Sequence, residues 1–221
     1  MSHELRTPIA SIQGHVDTLL LPASERPPDA TPDRYLQVVS TETRRLAALV
    51  EDLLVLARAD SHELALSVRP VELAPVVRGV VAAAAPLARR ERRVTLAHPD
   101  ALPALVALAD PDRLTQVLAN LVRNAITHTP EGGAVLIRVG ELPPDRVVVD
   151  VSDTGAGIAP EDRERIFERF YRADRSRSRD SGGFGLGLAI ARELTAAMGG
   201  TITVTSEPGV GSTFLVALRS A

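Results

Sequence analysis

A narrow apolar stripe runs along the first part of the chain and restricts what that part can fold into. In SHELRTPIASIQGHVDTLL the apolar residues recur in alternating steps of four and three, at Leu5, Ile9, Ile12, Val16 and Leu19. This spacing predicts an α-helix with one narrow buried face. After the proline-rich stretch LPASERPPDATP the spacing resumes and predicts a second, longer helix. Its stripe positions are Leu36, Val39, Thr43, Leu46, Val50, Leu53 and Ala57.

Two such helices joined by a short connection form an antiparallel hairpin. A hairpin of this size is too small to bury its own stripe, and a second copy would complete a four-helix bundle. We therefore expect an all-α hairpin at residues 1–61 that forms a homodimer, followed by a linker at 61–67.

Beyond the linker, short β-rich runs alternate with helical stretches. Helices are predicted at about 72–90, 111–127 and 185–198 from their apolar spacing. The predicted strands, several with period-2 alternation, are LALSVRP, RRVTLAHP, ALVALAD, AVLIRVG, RVVVDVSD, TITVTSE and STFLVAL. We expect an α+β two-layer sandwich over 67–221, with helices on one face of a mixed sheet. The chain is thus predicted to contain two domains.

Composition excludes several classes of site. The 221 residues include no cysteine, which rules out disulfides and thiolate metal sites and fits a reducing compartment. All 25 basic residues are arginine, so a P-loop lysine is unavailable. The net charge of −3 gives no global attraction to nucleic acid. No apolar run is long enough for a membrane helix, and we expect a cytoplasmic location.

Three glycine clusters lie in the second region, and each alone could be a tight turn. Together, glycines spaced in this way allow the backbone to approach phosphates or an adenine ring. The middle cluster follows an arginine- and serine-rich stretch rather than a strand, so it does not fit a dinucleotide fold. It opens a predicted helix near Leu186, whose N-terminal amides favour a phosphate group. The clusters are DTGAGI at 153–158, GGFGLGLAI at 182–190 and GVGSTF at 209–214.

Three polar residues are candidates for nucleotide contacts. Asn120 and Asn124 are four residues apart on one helix face, where two carboxamides can hold hydrated Mg²⁺ and triphosphate oxygens. Capping or internal hydrogen bonding is the alternative for each asparagine. Asp153, at the end of the strand RVVVDVSD, suits an exocyclic amine such as that of adenine. A turn-forming aspartate is the alternative there.

In this order the segments resemble the catalytic core of the sensor histidine kinases. SHELRTP resembles the phosphoacceptor box, NLVRNAITHTP the asparagine box, IFERFYRAD the phenylalanine box, and the three clusters the glycine boxes. The resemblance covers essentially the whole chain. It implies a dimerisation and histidine phosphotransfer hairpin followed by a Bergerat-type ATP-binding domain, with ATP and Mg²⁺ as cofactors.

The resemblance also implies roles for four residues. His3 would be the phosphoacceptor and Glu4 the general base that activates its ring. Thr7 matches the residue that orients water for dephosphorylation of the response regulator, and Arg172 one near the γ-phosphate or the histidine. His3 lies two positions before Leu5, about 200° around a helix, so it should point away from the stripe. Without the downstream motifs, an ordinary surface histidine would be the better interpretation.

The remaining roles concern the nucleotide. The resemblance makes Asn120 and Asn124 the magnesium and phosphate ligands and Asp153 the acceptor for the adenine amine. Two groups of glycines would complete the site: Gly155 and Gly157 as the wall around Asp153, and Gly183, Gly185 and Gly187 as the hinge of a mobile lid.

The asparagine box departs from the family at one place. Where a lysine and an aromatic residue are common, this chain has Thr127 and His128. One positive phosphate contact is therefore missing or supplied by an arginine. The candidates are Arg123, Arg172, Arg175 and Arg177, and the sequence does not choose among them.

We therefore expect ATP-dependent autophosphorylation of His3, then transfer to an aspartate in a response regulator receiver domain, with a phosphatase role toward that regulator. An ATPase acting as a conformational clamp and a dimeric scaffold with an inactive nucleotide site are the alternatives. The family's first helix extends further upstream, so this chain resembles a fragment. We expect membrane attachment only through segments absent from it.

Overall fold

The computed structural model describes residues 2–22, 25, 27, 31–61, 63–172 and 184–221, and for residues 2–4, 90 and 91 only the backbone. The helices are α1 (Ser2–Leu20), α2 (Pro32–Asp60), α3 (Leu73–Pro86), α4 (Pro111–His128) and α5 (Gly187–Ala197). The strands are β1 (Arg69–Glu72), β2 (Thr95–Ala97), β3 (Val106–Ala109), β4 (Ala134–Leu142), β5 (Arg146–Asp153), β6 (Thr201–Glu207) and β7 (Gly211–Arg219). A π-helical turn spans Leu87–Arg92, and short 3-10 turns span Pro160–Asp162 and Arg165–Phe167.

The chain divides into two compact units, Met1–Val55 and Leu56–Ala221. The division falls within α2, so the domain limits of 1–61 and 67–221 stay a prediction. None of the described helices combines the length and the apolarity that a membrane span requires.

The first unit contains α1 and most of α2, the two predicted helices, which confirms the helical hairpin region. His15 on α1 packs edge-on against Tyr35 on α2, with ring centroids 4.8 Å apart. The Nδ1 atom of His15 also lies 2.6 Å from the carbonyl oxygen of Ser11. This contact joins the two helices near the loop that connects them.

Much of the predicted stripe stays exposed on the hairpin. Ile9 and Val16 on α1, together with Leu36 and Val50 on α2, are 36–55% exposed. Leu49 and Leu56, each one position from the stripe, are buried at 1% exposure. A single neighbouring helix covers only one side of each helix, so part of the apolar surface is left uncovered.

The second unit is built on a five-stranded sheet with the order β2-β4-β5-β7-β6. Strand β2 runs parallel to β4, and the other neighbours are antiparallel. β5 is the central strand, and its last residue, Asp153, pairs with Val135 on β4 and with Ser212 on β7. The predicted mixed sheet is confirmed, and its central strand ends at the predicted acid.

The helices α3, α4 and α5 form the second layer, with α4 in contact with both other helices and with β4 and β5. Apolar residues at helical spacing give α4 a continuous buried face. Its buried residues are Leu114, Val117, Leu118, Leu121, Val122, Ala125 and Ile126. Between them, Asn120 and Asn124 remain half-buried and Arg123 is exposed. The predicted two-layer sandwich is therefore confirmed.

A separate antiparallel pair, β1 with β3, was not foreseen. The run LALSVRP predicts a strand over 64–70, whereas the observed strand is Arg69–Glu72. The strand begins late because the backbone N–H of Ser67 donates to Oδ2 of Asp110, at 2.8 Å, instead of to a neighbouring strand.

Asp110 is also the N-cap of α4. Its Oδ1 accepts the backbone N–H groups of Asp112 and Arg113 at 3.0 and 3.1 Å, and Pro111 occupies the first helical position. Burial acts to raise the pKa of Asp110, but the N–H donors of Ser67, Arg113 and Asp112 outweigh it and lower the pKa. The ionised carboxylate therefore stabilises the start of the helix that carries both asparagines.

We expect Asp110→Ala to lower the free energy of unfolding by about 1–3 kcal/mol at pH 7, because the cap and the bond to Ser67 are lost together. A lowered pKa means that this stability is present above the ordinary value of 3.8 and is lost as pH falls through the folded-state value. Urea unfolding at pH 7 and pH 3 should show that wild type and Asp110→Ala differ less in their free energy of unfolding at pH 3. Asp145→Ala, in an exposed turn, is the control and should change little. An equal difference at both pH values would contradict a role for the charge.

Candidate functional site

The central strand of the sheet ends in a buried acid. Asp153 is 8% exposed, and its Oδ1 accepts the backbone N–H of Gly155 at 2.8 Å. Burial raises the pKa of Asp153, while the backbone N–H groups of Gly155 and Ser212 oppose that rise. No ion pair to a described arginine or histidine offsets its charge. The carboxylate is therefore an acceptor suited to a neutral donor such as an amine.

The turn after Asp153 has no room for side chains. A Cβ at Gly155 would lie 2.6 Å from Oδ1 of Asp153 and 2.7 Å from the carbonyl oxygen of His128. Gly157 has a φ of +69°, and a Cβ there would collide with the backbone oxygen of Glu207. The predicted site residues Asp153, Gly155 and Gly157 therefore share one tight turn, set between the end of α4 and the end of β6.

Three further residues hold this turn, and none of them was given a role of its own from the sequence. Ser206 accepts the N–H of Ile158 and donates to the carbonyl of Gly211, both at 2.8 Å. Arg163 donates from Nη2 to the carbonyl oxygen of Ser206 at 2.5 Å. Gly211, at the start of β7, lies so close to the end of β5 that a Cβ would collide with the backbone oxygen of Asp153. The cluster GVGSTF indicated Gly211, but no local pattern links Arg163 to a partner 43 positions away.

The two asparagines of α4 are in different states. The Oδ1 of Asn120 accepts a hydrogen bond from Nη2 of Arg123 at 3.0 Å, and its Nδ2 is buried with no partner. The side chain of Asn124 makes no hydrogen bond to any described residue. Within the described ranges, no group of three or more His, Asp or Glu side chains could hold a metal ion. A divalent cation here would rely on carboxamide oxygen and on phosphate oxygens of a bound nucleotide.

The described part of the middle glycine cluster begins at Phe184. Gly185 has a φ of +71°, and a Cβ there would come within 2.9 Å of the backbone oxygen of Tyr171. Its own carbonyl accepts the N–H of Phe170 at 3.0 Å. Gly187 is the first residue of α5, which confirms a helix start near Leu186. Gly183 lies outside the described residues, so its predicted hinge role stays a prediction.

Arg172 lies near the C-terminal end of α4. Loss of hydration lowers the pKa of His128 most, and the charges of Arg172 and Arg92 lower it further, although His128 as a whole is exposed. The carbonyl oxygen of His128 also lies against Gly155, 2.7 Å from where a Cβ would be. Arg172 therefore places positive charge at the same end of α4 as the turn after Asp153.

The predicted phosphoacceptor residues lie on α1. His3 and Glu4 belong to this helix by their backbone, but their side chains are outside the described atoms, so the predicted orientation of His3 stays a prediction. Thr7 is exposed on the same helix, one turn further along.

An α+β sandwich with two carboxamides on one helix, and a buried acid and a glycine turn at the end of that helix, is the arrangement of a nucleotide-binding domain. The chain belongs to the family described as histidine kinase-, DNA gyrase B-, and HSP90-like ATPases, whose family model matches residues 109–221. The His Kinase A (phospho-acceptor) domain matches residues 1–62. The resemblance drawn from the sequence is thereby confirmed.

Individual relatives agree with this assignment. The sensor-like histidine kinase SenX3 of Mycobacterium tuberculosis is 40% identical over 224 residues, which cover 99% of this chain and 52% of SenX3. The crystal structure of full-length ShkA in complex with AMPPNP is similar, with 34% identity and a TM-score of 0.73, over 100% of this chain and 44% of ShkA. That of histidine kinase ThkA with response regulator TrrA has 26% identity and a TM-score of 0.72, over 100% and 60% of the chains. The chain spans about half the length of SenX3.

Two glycines with positive φ allow a matched test of the turn. Gly157 and Gly209 have φ of +69° and +80°, but a Cβ has a neighbour within 4 Å only at Gly157. Replacement by alanine costs about 1–2 kcal/mol at both positions for the left-handed backbone, and a further 1–3 kcal/mol at Gly157 for the collision. Urea unfolding of Gly157→Ala and Gly209→Ala measures the difference. Equal losses would mean that the turn can move away from Glu207.

Proposed function

We propose that this chain is the catalytic core of a sensor histidine kinase, which uses ATP to phosphorylate His3 and passes the phosphoryl group to an aspartate of a response regulator. The proposal rests on one combination within a single chain. A phospho-acceptor domain over 1–62 precedes an ATPase domain over 109–221 whose central strand ends in the buried acid Asp153. A histidine nucleophile and a nucleotide site are the two parts that such a transfer requires.

Asp153 is assigned to the exocyclic amine of adenine. Its ionised carboxylate is only an acceptor, and the described cations leave it without an ion pair. Gly155 and Gly157 form the wall beside it. We assign Gly183, Gly185 and Gly187 to the hinge of a lid over the phosphates, in keeping with the positive φ of Gly185.

Asn120 and Asn124 are assigned to the phosphates and to Mg²⁺. The donor set fits this ion, because Mg²⁺ prefers hard oxygen ligands, keeps several waters and binds together with substrate phosphates. Asn124 has a carboxamide free of described hydrogen bonds. When bound, Mg²⁺ would offset negative charge on the phosphate oxygens.

The reaction we propose begins at the imidazole of His3. A neutral ring nitrogen attacks the γ-phosphorus, the bond from that phosphorus to the bridging oxygen breaks, and ADP leaves. Glu4 accepts a hydrogen bond from the other ring nitrogen and stabilises the cation that forms. Arg172 contributes positive charge near the γ-phosphate. The phosphoryl group then moves to a carboxylate oxygen of the regulator, and Thr7 orients water when the regulator is dephosphorylated.

Two partners belong to the proposal. A second copy of the chain would cover the exposed stripe residues Ile9, Val16, Leu36 and Val50, giving the four-helix bundle of a homodimer. A response regulator receiver domain is supported by similarity to ThkA, whose crystal structure contains the response regulator TrrA. The use of ATP favours a cytoplasmic location.

The decisive experiment is incubation with γ-labelled ATP and Mg²⁺. We expect acid-labile, base-stable label on wild type and on His15→Gln, a control on the same helix, and no label on His3→Gln. Asn124→Ala should lower labelling at least about tenfold, because the charge on the phosphates is no longer offset. Label that persists in His3→Gln would refute the phosphoacceptor role. ATP hydrolysis by wild type without phosphohistidine would instead favour the conformational ATPase.

The raised pKa of Asp153 predicts a pH dependence of nucleotide affinity. As pH falls through that pKa, the carboxylate is protonated at a higher pH than an ordinary aspartate, so affinity for ATP should fall earlier than usual. The stability contribution has the opposite sign, because a raised folded-state pKa favours the folded state as pH falls.

Calorimetric titration with ATP between roughly pH 7.5 and 5, where most proteins stay folded, measures this change in affinity. Asp153→Asn should bind weakly with a flat profile, whereas Asp150→Asn, on the same strand, should keep the wild-type profile. A wild-type profile in Asp153→Asn would contradict the assignment.

A further inference from the structure

Arg123 and Asn120 form a polar pair on α4 beside the start of α5. The guanidinium of Arg123 donates from Nη2 to Oδ1 of Asn120 at 3.0 Å, one helical turn away. A Cβ placed on Gly187 would lie 3.5 Å from both of these atoms. The pair therefore faces the first residue of α5 at van der Waals distance.

The hydrogen bond fixes the orientation of the Asn120 amide. A guanidinium only donates, so the amide atom that faces Arg123 must be the oxygen, and the NH₂ group points away from it. That nitrogen is buried and has no hydrogen-bond partner in the described part of the chain. A buried donor without a partner is unfavourable, and an acceptor supplied by a ligand would satisfy it.

The same hydrogen bond gives the two asparagines different capacities to bind a cation. The oxygen of Asn120 already lies against a cation, which disfavours a second cation on that atom, and an amide nitrogen with two hydrogens is not a metal ligand. The side chain of Asn124 has no hydrogen bond to a described residue and keeps its oxygen available. A divalent cation is therefore better matched to Asn124, and an anion to Asn120.

Positive potential gathers at this place from two sources. Arg123 is exposed, and no described carboxylate forms an ion pair with it. The cap residue of α5, Leu186, supplies no side-chain hydrogen bond to the first turn, so backbone N–H groups and the helix dipole add to the field. Thr127, further along the same helix, adds no charge.

We propose that Arg123 binds the polyphosphate of ATP and supplies positive charge there, while the Asn120 amide, oriented by Arg123, donates to a phosphate oxygen. This inference rests on the proposed function, since it presupposes that the cleft binds ATP. It assigns Arg123, one of the four arginines that the sequence left open, to the phosphates, and it assigns the magnesium contact to Asn124 alone.

The first test compares Arg123→Ala, Arg123→Lys and Arg113→Ala. Arg113 makes the same kind of bond on the same helix, to Gln116 at 3.1 Å, and is the matched control. Calorimetry should show Mg·ATP binding weakened roughly 10- to 100-fold in Arg123→Ala, partly restored in Arg123→Lys and unchanged in Arg113→Ala. Adenosine, titrated by NMR, should bind all variants alike, because it carries no phosphate.

The outcomes separate this inference from the proposed function. ATP affinity of Arg123→Ala within about twofold of wild type would overturn the role of Arg123 and leave the kinase proposal intact. Equal weakening of ATP and adenosine would show a structural role and overturn it as well. Wild type that binds no nucleotide would overturn both.

The second test divides the asparagines by their dependence on metal. The ratio of ATP affinity with Mg²⁺ to that with a chelator should be kept in Asn120→Ala, although both affinities fall. In Asn124→Ala the ratio should approach one. A ratio lost in Asn120→Ala and kept in Asn124→Ala would overturn the assignment.

Discussion

The hydrogen bond from the backbone of Gly155 to the carboxylate of Asp153 is the contact on which the cleft depends. Asp153 ends the central strand, and its backbone position is set by the pairings with β4 and β7 on either side. Gly155 also closes on the carbonyl of His128, so the same turn locates the end of α4. A side chain at Gly155, Gly157 or Gly211 would separate the turn from the strands, and the acid, helix and sheet would lose their common geometry.

Local pattern predicted most of the fold, and distant pairing explains the rest. The alternation in RVVVDVSD and the helical spacing in α4 are properties of neighbouring residues, so both elements appear where expected. The predicted start of β1 was wrong because the backbone N–H of Ser67 donates a hydrogen bond to Asp110, 43 positions away. The stripe of the hairpin predicted helices correctly, but Leu49 is buried and Val50 exposed. The side of a helix that is buried depends on where the neighbouring helix lies, and the spacing of apolar residues alone does not specify that position.

The candidate site likewise contains residues that local motifs predicted and residues that only the structure reveals. Asp153 and the glycines around it lie in compact motifs, and the structure places them at one turn. Arg163 and Ser206 support that turn through bonds to residues far along the chain, so no local signal could indicate them. The resemblance implied that one positive phosphate contact is missing at Thr127 or supplied by an arginine, with four arginines as candidates. Of these, Arg123 packs against Asn120 and Gly187 in the described part of the chain, and this contact is not visible in the sequence.

The shared carboxylate of Asp110 has a mechanical consequence. One of its oxygens holds the backbone at Ser67, and the other holds the first turn of α4. Tension on the chain before Ser67 therefore acts on the group that keeps the first turn wound. Later turns of the same helix carry Asn120 and Asn124, so a displacement of the backbone at Ser67 would be felt, through Asp110, by the helix that bears the two proposed phosphate contacts.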